Sequence, residues 1–152
     1  MKTTALTEVE RVLLRALAIT DPEHEEARRT AADALTRQPQ WFDGLTTFNA
    51  LSILAGRGAR DPMDVVEDPA QRALLAEALL AETEPPSAET VIDAIVSQQR
   101  RKIEGELRNM RAQIQEAERR GDFAELALLT QRKLELDRAL RQLRASGPGP
   151  SF

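Results

Sequence analysis

Hydrophobic residues in the C-terminal part of the chain recur at alternating intervals of three and four residues, which is the spacing of a coiled-coil stripe. The first run is interrupted only by Arg100 and consists of Val96, Ile103, Leu107, Met110, Ile114 and Ala117. The second run consists of Leu126, Leu129, Leu136, Leu140 and Leu143. The two runs predict two long helices that bury one stripe against each other.

A short break between the two runs predicts a tight turn. Gly121 can adopt the positive φ that often follows the end of a helix. Asp122 and Glu125 have the spacing of an N-cap residue and its reciprocal partner, so the next helix is expected to begin there. We therefore expect a helical hairpin over residues 99–145 with its tip at Gly121 and Asp122.

The first part of the chain carries start and stop signals for several short helices. Thr7 and Glu10 have capping-box spacing and predict a helix from about Glu8 to Ile19. Asp-Pro pairs, which suit the cap and the first position of a helix, occur three times. The further helices expected are one between Asp21-Pro22 and Gln38-Pro39, one from near Trp41 to Gly56, one turn over 63–67 and one from Pro69 to about Glu82. These elements predict a helical bundle over residues 7–98.

Periodic apolar residues mark the expected interior of this bundle. The expected core positions are Trp41, Phe42, Phe48, Leu74, Leu75, Ala78, Leu79, Val91, Ile92 and Ile95. Ser87 predicts the N-cap of a helix that continues to Arg120, about 50 Å at 1.5 Å per residue. A helix of that length would begin in the bundle and carry the hairpin beyond it.

Composition favours an all-α fold. Together with the segments above, it predicts a helical bundle continued by a long helix into a protruding antiparallel two-helix hairpin. Aromatic residues make up 3% of the chain, and no segment alternates in the manner of a strand. Cysteine is absent, which excludes disulfides and thiolate zinc sites. No apolar run reaches about 20 residues, and the first residues lack the apolar core of a signal peptide. We expect a cytoplasmic protein.

Charge is distributed unevenly along the chain. Residues 1–96 hold 9 basic and 17 acidic side chains, whereas residues 97–152 hold 12 basic and 8 acidic side chains. The hairpin is therefore the basic end, with a net charge of +4. An excess of this size suits an acidic protein surface at least as well as nucleic acid, for which a more basic domain is typical.

No combination of residues predicts catalysis. His24 is the only histidine, and the acidic residues around it suit the first turn of a helix, where they meet the helix dipole. The chain has no HExxH motif and no phosphate-binding loop. We expect no enzymatic activity, no cofactor and no metal site in this chain.

Several residues in the hairpin are not explained by the stripe. Apolar residues outside it or at its edge are Phe123, Leu128 and Leu134, and neighbouring basic residues are Arg119, Arg120 and Arg132. They are candidates for a docking patch, although single exposed apolar residues are also common on protein surfaces. Gly105 lies opposite the stripe and is either a hinge or a solvent-facing glycine tolerated within the helix.

The order of these segments resembles the C-terminal end of bacterial DnaG-type replicative primases. The similar residues are Arg100 to Leu107, Ile114 to Ala117, Gly121-Asp122 and Leu126 to Leu140 with its segment Gln-Arg-Lys-Leu-Glu-Leu. Upstream, the segment from Glu8 to Leu17 is similar to the opening helix of that domain, and Asp68 to Leu74 is similar to its Asp-Pro-x-x-Arg segment.

The resemblance implies a module that binds the N-terminal region of the hexameric DnaB-type helicase and brings primase to the replication fork. The zinc-binding and polymerase domains of such primases are absent, so the chain would be a C-terminal part of one. The implied module is a monomer without strong nucleic-acid binding of its own. Two alternatives remain open, a self-associating coiled coil closed by Leu128 and Leu134, and a nucleic-acid-binding domain that uses the hairpin arginines.

Overall fold

A computed structural model of the chain describes residues 6–80 and 84–145. Within these residues there are seven α-helices, two short 3-10 helices and no strand, so the predicted all-helical class is confirmed. The sequence predicts that the Gly/Pro-rich segment 146–152 is disordered. This segment and Glu82, the predicted end of one helix, lie outside the described residues.

The α-helices are α1 (Glu8–Leu17), α2 (Glu25–Arg37), α3 (Phe48–Ala55), α4 (Pro62–Val65), α5 (Pro69–Leu79), α6 (Ala88–Arg120) and α7 (Phe123–Ala145). The two 3-10 helices are Pro22–His24 and Pro39–Trp41. The chain divides into two compact units, and the boundary between Gln98 and Gln99 lies inside α6.

Most of the predicted start signals act as caps. The Thr7 hydroxyl accepts a hydrogen bond from the Glu10 amide at 3.2 Å, and the Glu10 carboxylate accepts one from the Thr7 amide at 3.1 Å. Asp68 caps α5 by accepting from the amide of Gln71 at 2.9 Å. Each of these bonds satisfies an N–H group that has no partner within the first turn of its helix.

Several helix boundaries differ from the prediction. The helix expected to run to about Glu82 ends at Leu79, and the turn expected over 63–67 is the helix Pro62–Val65. The first helix ends at Leu17 rather than Ile19, because the carbonyl oxygens of both residues accept hydrogen bonds from the guanidinium of Arg57. Asp21-Pro22 begins a 3-10 helix of three residues, and the α-helix follows from Glu25.

The third helix begins at Phe48 and not near Trp41. Residues 39–41 form only a 3-10 turn. The amide of Thr47, immediately before α3, donates to the Glu10 carboxylate at 3.1 Å. A bond to a distant helix therefore fixes the start of α3, and no local pattern in the sequence contains it.

The first unit has one hydrophobic core. Its completely buried large side chains are Leu13, Leu14, Leu17, Phe42, Leu51, Leu54 and Leu75. Trp41 and Phe48 pack against this core, which confirms their interpretation as interior residues. Leu79 and Ile92 were predicted to be in the core but are 38% and 43% exposed. Ala94 occupies the predicted place of Ile92, since it lies three residues after the buried Val91 on the same face of α6.

The second unit buries the predicted stripe. Its buried residues are Ile103, Leu107, Ala117, Leu129, Leu136 and Leu140, and its partly buried residues include Met110, Ile114, Leu126 and Leu143. An ion pair of 3.6 Å between Glu106 and Arg132 connects α6 with α7. Val96, counted with this stripe in the sequence, belongs to the first unit.

The turn between α6 and α7 has the geometry that its sequence predicts. Gly121 adopts φ +70°, and the Asp122 amide donates to the Ala117 carbonyl at 3.0 Å. Together with the bond from the Gly121 amide to Glu118, this is the Schellman motif. Asp122 then caps α7 by accepting from the Glu125 amide at 3.1 Å.

Candidate partner-binding surface

Three large apolar side chains of α7 are exposed. Phe123 is 78% exposed, Leu128 69% and Leu134 51%. The other exposed large apolar residues of the described segments, Leu79, Leu80 and Ile92, belong to the first unit. Because the stripe of α7 is already buried, these three side chains contribute nothing to the core of their unit.

The periodicity of the helix separates these three residues into two groups. Phe123 and Leu134 are eleven residues apart, so at about 100° per residue they lie on the same side of α7, roughly 16 Å apart along its axis. Leu128 and Leu134 are six residues apart, so they lie about 120° from each other around the helix. Phe123 and Leu134 therefore share one flank of the stripe, and Leu128 lies on the opposite flank.

The arginines that the sequence suggested for this surface are all paired with acidic residues. Arg119 binds Glu116 in two hydrogen bonds of 2.5 and 2.7 Å, and Arg120 lies 3.7 Å from the same carboxylate. Arg132 contacts Glu106 at 3.6 Å and Glu135 at 3.4 Å. The charges of these three arginines are therefore already balanced within the second unit, and the role of the six candidate residues in binding a partner stays a prediction.

Sequence reasoning missed a different group of arginines. Exposed arginines in this unit that have no ion pair within the described residues are Arg101, Arg108, Arg111, Arg138 and Arg141. The signal for Arg111 was present, because no acidic residue lies three or four positions before or after it.

Spacing of four residues predicts three ion pairs on these helices, Glu104 with Arg108, Glu116 with Arg120 and Asp137 with Arg141, and two of them are not formed. Glu104 does not pair with Arg108, and Asp137 binds Lys133 at 3.1 Å rather than Arg141. The third expected pair, Glu116 with Arg120, is present. Spacing of four residues permits such a pair on an exposed helix but stabilises it by only a few tenths of a kcal/mol, about 0.3–0.5.

Gly105 lies within the uninterrupted helix α6. A Cβ atom added there would meet only a terminal guanidinium nitrogen of Arg108, at 3.7 Å. No close contact therefore requires glycine at this position. The role of Gly105 as a hinge remains a prediction.

The surroundings of His24 are explained by helix capping and ion pairing. Ligand atoms of Asp21, Glu23 and His24 lie within 4.8 Å of one another. Asp21, however, already accepts a hydrogen bond from the Glu23 amide as the cap of the 3-10 helix. The next acidic residue, Glu25, binds Arg28, and this hydrogen bond lowers the pKa of its carboxyl group.

Some surface cavities of the first unit are lined partly by charged side chains. One of about 310 Å³ is lined by Ile19, Thr20, Glu25, Arg28, Arg57, Gly58 and Ala59. The guanidinium of Arg57 donates to the main-chain oxygens of Leu17, Ile19 and Arg60, so it serves the fold. Burial lowers its pKa, with a further contribution from the charge of Arg28.

No helix in the described part of the chain combines the length and the apolar character needed to cross a membrane. Neither protein-family models nor curated proteins nor solved structures match the chain. The likeness to bacterial primases therefore rests on the residues given above and on the order of the segments, and it stays a prediction.

Proposed function

We propose that this chain is the helicase-binding module of a bacterial DnaG-type primase. In this proposal it docks on the N-terminal region of the hexameric DnaB-type helicase and recruits primase to the replication fork, where the parent enzyme synthesises RNA primers. The module is a cytoplasmic monomer without catalytic activity. The bundle over residues 7–98 continues through α6 into a protruding antiparallel hairpin over residues 99–145, which is the main anchor.

The exposure of Phe123 and Leu134 on one flank of α7 carries this proposal. Interfaces are anchored by a few apolar side chains that become desolvated on binding, and aromatic residues are frequent among them. Burying an exposed Phe or Leu side chain contributes about 1.5–3 kcal/mol. Two such anchors on one helix are suited to a protein partner.

The character of this flank favours a protein over nucleic acid as the partner. Aromatic side chains that stack on bases are interleaved with basic residues in single-strand-binding proteins. The residues before and after Phe123 in the sequence are Asp122 and Ala124, and Ala127 and Thr130 lie between Phe123 and Leu134 on the same flank of α7. None of these four residues is basic. An apolar groove on a protein is the better match.

The test is binding of the chain to the N-terminal region of the cognate helicase, measured by calorimetry. We expect Leu134→Ala or Phe123→Ala to weaken binding about tenfold or more, because each removes a desolvated anchor. Leu128→Ala is the matched control, since Leu128 is equally apolar, more exposed than Leu134 and on the opposite flank.

Helicity measured by circular dichroism should be the same for all variants, because none of the three side chains is in a core. Absence of binding by the unmodified chain would overturn the proposed function. Equal binding by the Leu134→Ala and Leu128→Ala variants would show that this flank is not the anchor.

A further inference from the structure

We infer that the partner presents an amphipathic helix to the flank of Phe123 and Leu134, and that this helix carries an acidic side chain between two basic ones, spaced one heptad apart. The inference rests on the proposed function and specifies the chemistry of the segment recognised by the same surface. It is carried by a second apolar row on α7 and by three unpaired charges beside it on α6.

The apolar row consists of Phe123, Ala127, Thr130 and Leu134. Their spacing of four, three and four residues is that of a coiled-coil stripe, and all four residues are exposed. The large side chains stand at the two ends and the small ones in the middle. A helix laid along this row would have its backbone close to Ala127 and Thr130 and an apolar contact at each end.

The position of α6 beside this row follows from the Glu106–Arg132 ion pair. Glu106 immediately precedes the stripe residue Leu107. Arg132 immediately precedes Lys133, which fills the stripe position between Leu129 and Leu136, and the pair therefore marks one flank of the hairpin. In antiparallel helices the residues that immediately follow stripe positions meet on the other flank. Arg111 follows Met110, and Thr130 follows Leu129, so both lie on that second flank at the same level.

Three charged residues of α6 follow stripe positions on this flank at intervals of seven residues. They are Glu104, Arg111 and Glu118. None of them has an ion pair within the described residues. Their intervals correspond to about 10 Å along the helix, with Arg111 at the level of the small residues Ala127 and Thr130. Arg108, also exposed and without an ion pair in the described residues, lies three residues before Arg111 and adds positive charge between the two glutamates.

The opposite flank lacks these properties. Arg132 is held between Glu106 and Glu135, and Arg120 is paired with Glu116. Among the described residues, Leu128 is the only exposed large apolar side chain on that flank. An incoming charged residue on that side would have to replace existing ion pairs. The unpaired negative, positive, negative pattern occurs beside Phe123 and Leu134, and its complement is a basic, acidic, basic pattern on the partner.

A second copy of the same chain is a poor occupant of this surface. Two copies related by a two-fold axis would place Phe123 of one over Leu134 of the other, with Arg111 near the axis. The two Arg111 guanidinium groups would then face each other without a carboxylate between them. Like charges opposed in an interface suppress that pairing, and therefore a different chain with a central acidic residue is the expected partner.

The test is reversal of the central charge in the full chain. Arg111→Glu should weaken binding to the N-terminal region of the cognate helicase about tenfold. Arg101→Glu is the matched control, because Arg101 is also exposed and unpaired in the described residues, has the same change in charge and lies ten residues before Arg111, about 15 Å along α6. The control variant should bind within about twofold of the unmodified chain, as is common for a peripheral charge.

A compensating substitution in the helicase identifies the contact. Each exposed acidic residue of its N-terminal region is changed in turn to arginine, and one such change should restore binding of Arg111→Glu but not of Leu134→Ala. If none of these changes restores binding, the inferred ion pair between Arg111 and an acidic residue of the partner helix is wrong.

The outcomes also separate the inference from the proposed function. If the unmodified chain does not bind the helicase, the proposed function fails. If it binds, but Arg111→Glu behaves like Arg101→Glu, the inferred partner helix is wrong while the proposed function stands.

Discussion

At the scale of single residues, Glu10 shows how one side chain serves both local and tertiary structure. It completes the capping box of α1, and its carboxylate also accepts bonds from the amide and hydroxyl of Thr47 at 3.1 and 2.8 Å. Burial alone raises the pKa of Glu10, but the hydrogen bonds from Thr7 and Thr47 outweigh it and lower the pKa below the ordinary value of 4.5. The charged carboxylate is therefore the stable form in the folded chain.

We predict that Glu10→Gln lowers the free energy of unfolding by about 1–3 kcal/mol at pH 7, because an amide leaves part of this buried network unsatisfied. A pKa that is lower in the folded chain gives stability above the unfolded pKa that is lost as pH falls through the folded pKa. The difference between the two proteins should therefore shrink from pH 7 to pH 3.

Urea unfolding at both pH values measures this effect. Glu8→Gln, an exposed change in the same turn of α1, is the control and should alter stability by no more than about 0.5 kcal/mol. A Glu10→Gln variant as stable as the Glu8→Gln variant at pH 7 would contradict the role given to the buried carboxylate.

At the scale of elements, two glycines of the second unit differ in whether the backbone conformation requires glycine. Gly121 terminates α6 with φ +70°, a conformation that residues with a Cβ atom rarely adopt. Gly105 lies in the middle of the same helix with room for a Cβ atom. The turn between α6 and α7 requires its glycine, whereas the helix interior does not.

We predict opposite effects for the same substitution at these two positions. Gly105→Ala should raise the free energy of unfolding by about 1 kcal/mol, because alanine is the better helix former. Gly121→Ala should lower it by about 1–2 kcal/mol, because a Cβ atom is strained in the left-handed region. Thermal unfolding followed by circular dichroism measures both, and equal shifts in melting temperature would contradict this interpretation.

The effect of Gly105→Ala on helicase binding also tests the hinge. A hinge at Gly105 predicts that this variant binds the helicase differently from the unmodified chain. Unchanged binding in a more stable variant would instead identify Gly105 as a solvent-facing glycine that the helix tolerates.

At the scale of the whole molecule, the distribution of apolar residues suggests how the module associates. The stripe of the second unit is buried, and Phe123 and Leu134 are the only large exposed apolar side chains of its described residues on their flank. Stable homodimers bury about 800 Å² or more on each subunit, which is more than two separated side chains provide. This comparison favours a monomer over a homodimer.

We therefore predict a monomer of 16.9 kDa across dilution. Light scattering coupled to size-exclusion chromatography, run over a hundredfold range of concentration on the order of micromolar, measures it. A constant dimer mass would support the self-associating alternative. Loss of that dimer in Leu134→Ala but not in Leu128→Ala would place the contact on the flank of Phe123.

The sequence by itself determined the elements whose signals are local. Helix periodicity, the Asp-Pro caps and the Gly121-Asp122 turn depend on residues within a few positions of each other, so α5, α6 and α7 begin as predicted and the stripe is buried. The exposure of Phe123 and Leu134 followed from the same periodicity, because they do not fit the stripe.

Tertiary structure decided what depends on residues distant in sequence. The start of α3 depends on the bond between Thr47 and Glu10, and the end of α1 depends on Arg57, which comes 40 residues after Leu17. The sequence also did not determine which acidic residue each basic residue contacts. Arg132, for example, contacts Glu106 of another helix. Periodicity gives the face on which a side chain lies, but only the packed structure gives the group that it meets there.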